Sequence, residues 1–222
     1  MNLPLDERLS MLSVLTPACT LAADIGADHG FLGASLLQSG HIHTVQFIDI
    51  SDKSLGKARR LVKALNLTDR ARFTVGDGAE NVDPCADAAI IAGLGAETIA
   101  GIVERGSDRF REMTLILQPN YNADILRRRI TAAGFLIVQE DVIRAKGRWY
   151  VGIVAKAGER ALTEYEIAVG PALLASNHPL LADYARFHVR VLQKALGGAL
   201  RGDRGQAEPI ERALNHWKEV LK

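Results

Sequence analysis

The pattern of apolar and polar positions changes period repeatedly along the first two thirds of the chain. Short apolar runs, several of which end in an acidic or glycine-rich turn, alternate with segments whose apolar residues lie three or four positions apart. The runs are typical of buried strands, and the spaced pattern is typical of amphipathic helices. Strands are predicted at 21–25, 44–50, 71–75, from 87 into a small-residue turn ending at 95, and at 114–118, 135–143 and 149–155.

Helices are predicted between the strands, so that the two kinds of element alternate. They are predicted at 5–15, 31–37, 51–65, 96–105 and 125–133. This alternation predicts an α/β fold with a mostly parallel sheet and helices on both of its faces. The polar turns follow the carboxyl ends of strands, which form the edge where ligands bind in open α/β sheets.

The helical period dominates from about residue 158 onward, which predicts a second unit. We expect a sheet domain at 1–157 and a helical appendage at 158–222, whose two longest helices form an antiparallel hairpin. Gly197–Gly198 and the loop 201–205 are predicted to interrupt its helices. Beyond Pro179 there are eight basic and five acidic residues, a small excess of the sign that phosphates attract.

The first strand runs into a charged glycine turn, DIGADHG at 24–30, and a helix follows it. Strand, glycine turn and helix together bring bare backbone and a helix N-terminus close to a ligand. Asp24, Asp28 and His29 depart from the dinucleotide fingerprint, because carboxylates would repel a pyrophosphate. They suit a ligand with an amino-acid tail and a sulfonium, which predicts S-adenosylmethionine. The alternative is an ordinary turn in which Asp28 only caps the helix.

Two further strand ends carry acids. Asp49 ends the second strand and lies close to the offset from Asp24 at which an acid meets a ribose. Alternatively, Asp49 or Ser51 only caps the next helix. Asp77–Gly78 follows the third strand, where the carboxylate could accept from an adenine amino group, although a plain turn also fits this pair.

Composition narrows the class of protein. The 222 residues carry a net charge of +1 and two cysteines, Cys19 and Cys85, which argues against a disulfide framework or a cysteine metal site. No apolar run approaches the length of a membrane span, and the N-terminus does not read as a signal peptide. We expect a cytoplasmic protein without membrane or metal partners, with a monomer favoured.

Five motifs in order resemble those of the bacterial TrmK family, the tRNA (adenine(22)-N1)-methyltransferases. The motifs are DIGADHG at 24–30, GDG at 76–78, IAGLG at 91–95, LILQPN at 115–120 and the tyrosine of Trp149–Tyr150. The resemblance implies a Rossmann-like class I methyltransferase that uses S-adenosylmethionine and methylates an adenine of tRNA. It covers residues 5 to about 156, and the tail is similar to the family's C-terminal coiled coil in kind more than in residues.

The resemblance also implies roles for particular residues. The expected cofactor-binding residues are Asp24, Gly26, Asp28, His29, Asp49, Ile50, Asp77, Gly78, Ala92 and Gly93. The expected catalytic residues are Asp28, Asn120 and Tyr150. Adenine N1 has an in-plane lone pair, so alignment and stabilisation of the cationic product matter more than a general base. Asp28 and Asn120 could stabilise that cation, and Phe31 or Tyr150 could stack on the extruded base.

Three other functions remain open from the sequence. A methyltransferase acting on a small molecule or another RNA would share the cofactor half, and it would turn over without tRNA. An NAD oxidoreductase is disfavoured by the acidic turn. A non-catalytic RNA-binding protein on this fold would bind tRNA without transferring a methyl group.

Overall fold

The computed structural model describes residues 3–202, 205 and 207–222, and within them the chain forms a seven-stranded sheet. The strands are β1 (Cys19–Ile25), β2 (Ile42–Asp49), β3 (Ala71–Val75), β4 (Ala88–Leu94), β5 (Thr114–Pro119), β6 (Phe135–Ala145) and β7 (Arg148–Ala157). Their order in the sheet is β3-β2-β1-β4-β5-β7-β6. Neighbours from β3 to β5 pair in parallel, whereas β7 is antiparallel to both β5 and β6. The predicted α/β fold is confirmed.

Helices connect the strands and then form the C-terminal region. They are α1 (Glu7–Leu15), α2 (Phe31–Gln38), α3 (Asp52–Ala64), α4 (Ala96–Arg105), α5 (Ser107–Phe110), α6 (Ala123–Ala132), α7 (Glu164–Val169), α8 (Pro171–Ser176), α9 (Leu181–Arg201) and α10 (Ala207–Glu219). Short 3₁₀ turns at Thr68–Arg70 and Gly78–Asn81 flank β3. The predicted elements are therefore present, with ends shifted by a few residues.

The sheet is buried on both faces, as its apolar runs predict. Alternate residues of one strand enter different cores: Ala89 and Ile91 of β4 face the side covered by α4 and α6, whereas Ala88 and Ile90 face the side covered by α1, α2 and α3. Because a strand places successive side chains on opposite faces, a strand buried on both faces needs apolar residues at every position.

The C-terminal region packs on the sheet through a buried ion pair. Arg127 of α6 donates from Nε to Oε1 of Glu140 on β6 at 2.7 Å, and both side chains are at most 1% exposed. Arg127 also donates to the carbonyls of Ile167 and Ala168 at the end of α7, and the Glu140 carboxylate accepts from the backbone N–H of Ala172 in α8. Residues of α8, α9 and α10 share the apolar core with the sheet. The boundary at 157–158 coincides with the end of β7, but a separate domain there stays a prediction.

The predicted helix interruption at Gly197–Gly198 is wrong. Helix α9 runs through both glycines to Arg201, since each glycine costs a helix interior only about 1 kcal/mol relative to alanine. Packing of α9 against α10 offsets such a cost. The predicted loop at 201–205 falls partly on residues 203 and 204, which lie outside the described residues.

Candidate cofactor and substrate site

The carboxyl ends of the parallel strands lie side by side at one edge of the sheet. The backbone N–H of Gly26, just after β1, donates to the Ile48 carbonyl of β2 at 2.8 Å, and that of Gly76 donates to the Asp49 carbonyl at 3.1 Å. On the other side of β1, the N–H of Asn120 after β5 donates to the Leu94 carbonyl at 2.9 Å. The sheet order therefore brings the turns after β3, β2, β1, β4 and β5 together in space.

The turn after β1 depends on its glycines. Gly26 and Gly30 have φ of 76° and 67°, in the left-handed region that favours glycine. A Cβ on Gly30 would lie 2.7 Å from Ala58 Cβ, and one on Gly33 would lie 2.6 Å from the Phe47 ring. Helix α2 can therefore pack closely against β2 and α3 only without side chains here, and its N-terminus stays beside the sheet edge. The residue before this helix is Gly30, which makes no side-chain cap, so the reading of Asp28 as the helix cap is wrong.

Asp24 lies at the end of β1 and is the most electrostatically perturbed acid of this edge. Its side chain is buried, with the residue 8% exposed. Burial raises the pKa of its carboxyl to about 7, the negative charge of Asp49 adds to the rise, and a hydrogen bond from the backbone N–H of Gly33 opposes it. A cation bound next to this buried, partly protonated carboxyl would stabilise its ionised form.

Asp28 and His29 occupy the exposed rim of the same turn. The Asp28 carboxylate lies 2.7 Å from Lys57 Nζ of α3 and 3.2 Å from His29 Nε2. The hydrogen bond from Lys57 lowers the pKa of the Asp28 carboxyl, so it is ionised at neutral pH. It could therefore stabilise a cation but would be a weak base. The His29 ring stacks on Phe31 with centroids 5.4 Å apart.

Asp49 and Ile50 follow β2 next to the glycine turn. Asp49 Oδ1 accepts from the backbone N–H of Ser51 at 2.8 Å, and the Ser51 side chain caps α3 by accepting from Ser54. The side-chain cap of α3 therefore belongs to Ser51, and within the described residues Asp49 Oδ2 has no hydrogen-bond partner. Ile50 is 75% exposed, an unusual position for a large aliphatic side chain unless something flat covers it.

Asp77 and Gly78 follow β3 and begin a short 3₁₀ turn. Asp77 is exposed and lies 3.4 Å from Arg105 Nη2 of α4, a loose ion pair that leaves its carboxylate open to solvent. Gly78 has φ of 55°, and a Cβ there would lie 3.1 Å from Ile102. A side chain at this position would be strained by the positive φ and would crowd Ile102, so glycine favours the packing of this turn on α4.

Ala92 and Gly93 lie at an irregularity near the end of β4, where the pairing with β5 shifts between Ala92 and Leu94. Gly93 has φ of 77°, and its carbonyl accepts from Asn120 Nδ2 at 2.7 Å. If the side-chain amide of Asn120 were turned the other way, its Oδ1 would face the carbonyl oxygen of Gly93, and two acceptors would repel each other. Asn120 Oδ1 therefore points away from Gly93, and it has no hydrogen-bond partner in the part of the chain that the structure describes. The alternative in which Asn120 bonds its own backbone does not occur.

Tyr150 of β7 lies on the same side of the molecule as Asn120. Leu117 of β5 pairs with Ile153 of the antiparallel strand β7. Asn120 lies three residues after Leu117 and Tyr150 lies three residues before Ile153, so the two lie on the same side of this pair. Both line a cavity of about 870 Å³ that extends away from the sheet edge to α9 and α10. Asp24, Asp49 and Asp77 do not line this cavity. Of the three predicted catalytic residues, Asn120 and Tyr150 therefore line one cavity, whereas Asp28 lies outside it in the turn after β1.

Two residues of this region were not found by sequence reasoning. Arg8 of α1 donates to Gln118 Oε1 at 2.7 Å, and Gln118 is fully buried and donates in turn to the Pro119 carbonyl. Tyr121 is 65% exposed beside Asn120, with its hydroxyl 3.3 Å from where a Cβ on Gly95 would lie. An exposed aromatic directly after the predicted base-binding motif was the available signal for Tyr121, whereas only the folded chain reveals Arg8.

Among the described residues, no group of three His, Cys, Asp or Glu side chains is placed to hold a metal ion. In the same part of the chain, no helix is long and apolar enough to cross a membrane.

The chain contains a methyltransferase domain. A family model described as a methyltransferase domain matches residues 5–153. The tRNA (adenine(22)-N(1))-methyltransferase of Bacillus subtilis (strain 168) is 31% identical over 183 residues, which are 82% of this chain and 76% of the relative. The chain belongs to this family, the TrmK methyltransferases.

Solved structures agree with this assignment. A Streptococcus agalactiae protein of the NADB-Rossmann superfamily is 28% identical with a TM-score of 0.92, covering 100% of this chain and 99% of that one. A Streptococcus pneumoniae protein solved in complex with S-adenosyl-L-methionine is 25% identical with a TM-score of 0.88, covering 99% of this chain and 100% of that one. The likeness includes the C-terminal helices, because it spans nearly the whole of each chain.

Proposed function

We propose that this chain transfers the methyl group of S-adenosylmethionine to N1 of adenine 22 in tRNA. One observation carries the proposal. In this TrmK-family chain, the acidic glycine turn after β1 and Asn120 after β5 lie at the same edge of the sheet. The first suits a cationic amino-acid tail, and the second offers an amide oxygen to a base. We further infer that the enzyme acts as a monomer in the cytoplasm.

In the proposed cofactor site, each strand end has a different task. Asp24 faces the amino group of the cofactor, and Asp49 accepts from the ribose hydroxyls. Ile50 covers one face of the adenine ring, and Asp77 accepts from its amino group. Gly26, Gly78, Ala92 and Gly93 have small or absent side chains, which allows the cofactor to approach the backbone.

In the proposed reaction, the enzyme aligns two reactants more than it activates either one. The N1 lone pair attacks the methyl carbon, the carbon–sulfur bond breaks, and the positive charge moves from sulfur to the base. Holding N1 in line with that bond can lower the barrier by up to about 7–11 kcal/mol. Asn120 Oδ1, fixed by the bond from its own Nδ2 to Gly93, would accept from the adenine N6 amino group and favour the charged product.

The experiment is incubation with labelled S-adenosylmethionine and matched tRNA transcripts that carry adenine or guanine at position 22. Nucleoside analysis should find 1-methyladenosine only with adenine 22. Free adenosine and other small acceptors serve as controls. Turnover without RNA would favour the small-molecule alternative, and tRNA binding without methyl transfer would favour the non-catalytic one.

A further inference from the structure

The cavity beside Asn120 is larger and more aromatic than the target adenine alone requires. Its volume of about 870 Å³ is near the upper end of the roughly 300–1,000 Å³ of drug-sized pockets. Asn120 and Tyr150 line it together with five aromatic side chains of β7, α9 and α10, which we call the aromatic chamber: Trp149, Tyr184, Phe187, His188 and Trp217.

The rings of the aromatic chamber form one connected cluster, in which Tyr184 meets Trp217 edge-on with centroids 5.1 Å apart. Trp149 of β7 lies 5.2 Å from Tyr184 and 6.4 Å from Phe187 between ring centroids, and His188 stacks on Trp217 at 4.0 Å and 6°. Tyr184 and Trp217 are buried, whereas Trp149 and Phe187 are only partly buried. The two partly buried rings can thus offer surface to a ligand while the buried ones hold them in place.

An unused polar group lies beside this surface. His188 Nε2 is buried and has no hydrogen-bond partner within the described residues. Burial lowers the pKa of His188 to about 4, so the ring is neutral at physiological pH. A neutral imidazole nitrogen can donate or accept according to its tautomer, so the buried Nε2 keeps an unused hydrogen-bonding capacity next to the rings that line the cavity.

The charges around the chamber favour a polyanion. Arg148 lines the cavity, and Arg190 and Lys194 lie three residues beyond Phe187 and Val191 on α9, within one turn of the cavity wall. These three cations form no ion pair within the described part of the chain. Among the described residues that line the cavity, Asp124 at the start of α6 is the acid, and Arg148 is the cation that forms no ion pair.

We propose that the aromatic chamber binds a second unstacked base of the tRNA, a nucleotide adjacent to the target adenine. Single-stranded bases are held by stacking on aromatic side chains while cations follow the phosphates, and both features meet here. The inference rests on the proposed function and assigns the C-terminal helices a direct role in reading the substrate. A base at Asn120 and its neighbour in the chamber would share one continuous cavity.

The first test is intrinsic fluorescence, because the chain's two tryptophans, Trp149 and Trp217, both line the cavity. Titration with tRNA, excited at the red edge of tryptophan absorption, should quench the emission saturably. Transcripts that are abasic at both neighbours of position 22 should quench little and bind about five- to a hundredfold more weakly. Equal quenching and affinity with intact and abasic transcripts would overturn the proposal.

The second test removes the ring and keeps the packing. Phe187→Leu retains an apolar side chain beside Trp149, and Gln193→Ala on the exposed side of the same helix is the matched control. Phe187→Leu should bind intact and abasic transcripts alike, whereas the control should keep the full difference. S-adenosylmethionine affinity and the thermal midpoint should match wild type in both variants. If Phe187→Leu still binds abasic transcripts more weakly than intact ones by the wild-type factor, the second base is bound elsewhere and the proposal fails.

The two hypotheses fail separately. Absence of 1-methyladenosine with intact tRNA contradicts the proposed function. Normal methylation that is indifferent to the neighbouring bases contradicts only the aromatic chamber's role.

Discussion

Asp24→Asn tests whether the sheet edge is built to receive a cation. Burial raises the pKa of this carboxyl from 3.8 to about 7, or about three pH units. At about 1.4 kcal/mol per unit, ionised Asp24 costs the folded chain about 4 kcal/mol. The amide has the same shape, can still accept from the Gly33 N–H, and carries no charge, so it removes this cost.

The sign of the pH dependence follows from proton binding. Well below pH 4 the Asp24 carboxyl is protonated in both the folded and the unfolded chain, so it does not change the free energy of unfolding. Between pH 4 and 7 the folded chain holds a proton that the unfolded chain has lost, so this group makes wild type less stable as pH rises. Above pH 7 the full cost is present. The stability advantage of Asp24→Asn should therefore grow by about 2.5 kcal/mol between pH 5 and pH 8.

The assay is urea unfolding of both proteins across this pH range. Asp69→Asn, the same chemical change at an exposed site, is the matched control and should show no such growth. An advantage for Asp24→Asn that is independent of pH would refute the assignment of a raised pKa to Asp24.

Cofactor binding should show the opposite trend, because the bound ammonium needs the ionised carboxyl. With a pKa of about 7, the ionised fraction of Asp24 rises about fivefold from pH 6 to pH 7, and wild-type affinity for S-adenosylmethionine should rise by the same factor. Asp24→Asn should bind weakly and without this dependence in calorimetry. Equal affinity in both proteins would place the amino group elsewhere.

Three further predictions concern single side chains. Asp49→Ala should weaken S-adenosylmethionine binding by calorimetry, since hydrogen bonds to a charged group contribute about 1.5–3 kcal/mol each, and unchanged affinity in a folded variant would remove Asp49 from the site. Asn120→Ala should lower tRNA turnover by about ten- to a thousandfold with cofactor affinity unchanged, and a near wild-type rate would mean that the base is held elsewhere. Arg127→Ala should lower the free energy of unfolding by about 3–5 kcal/mol, because it leaves Glu140 buried and unpaired. The double variant Arg127→Met with Glu140→Leu should lose much less stability, and equal losses in the two proteins would contradict this account.

The sequence by itself determined the sheet and its ligand-binding edge. Continuous apolar runs such as 88–91 are typical of strands buried on both faces, and the glycines at 26, 30 and 78 mark turns whose φ is positive. These are local requirements, met by residues that are neighbours in the chain. They therefore predicted where Asp24, Asp49, Asp77 and Asn120 would lie relative to the strands.

Tertiary structure alone decided what lies beyond that edge. Arg127 and Glu140 lie on a helix and a strand that are not adjacent in the chain, and packing of α7 and α8 buries the pair they form. Gly197 and Gly198 read as a break, yet α10 supports a continuous α9. The aromatic chamber joins Trp149 of a strand to rings from two distant helices, and no local pattern records that contact. Such features depend on which surfaces meet, and the free energy of burial that selects those contacts belongs to the whole fold rather than to any one segment.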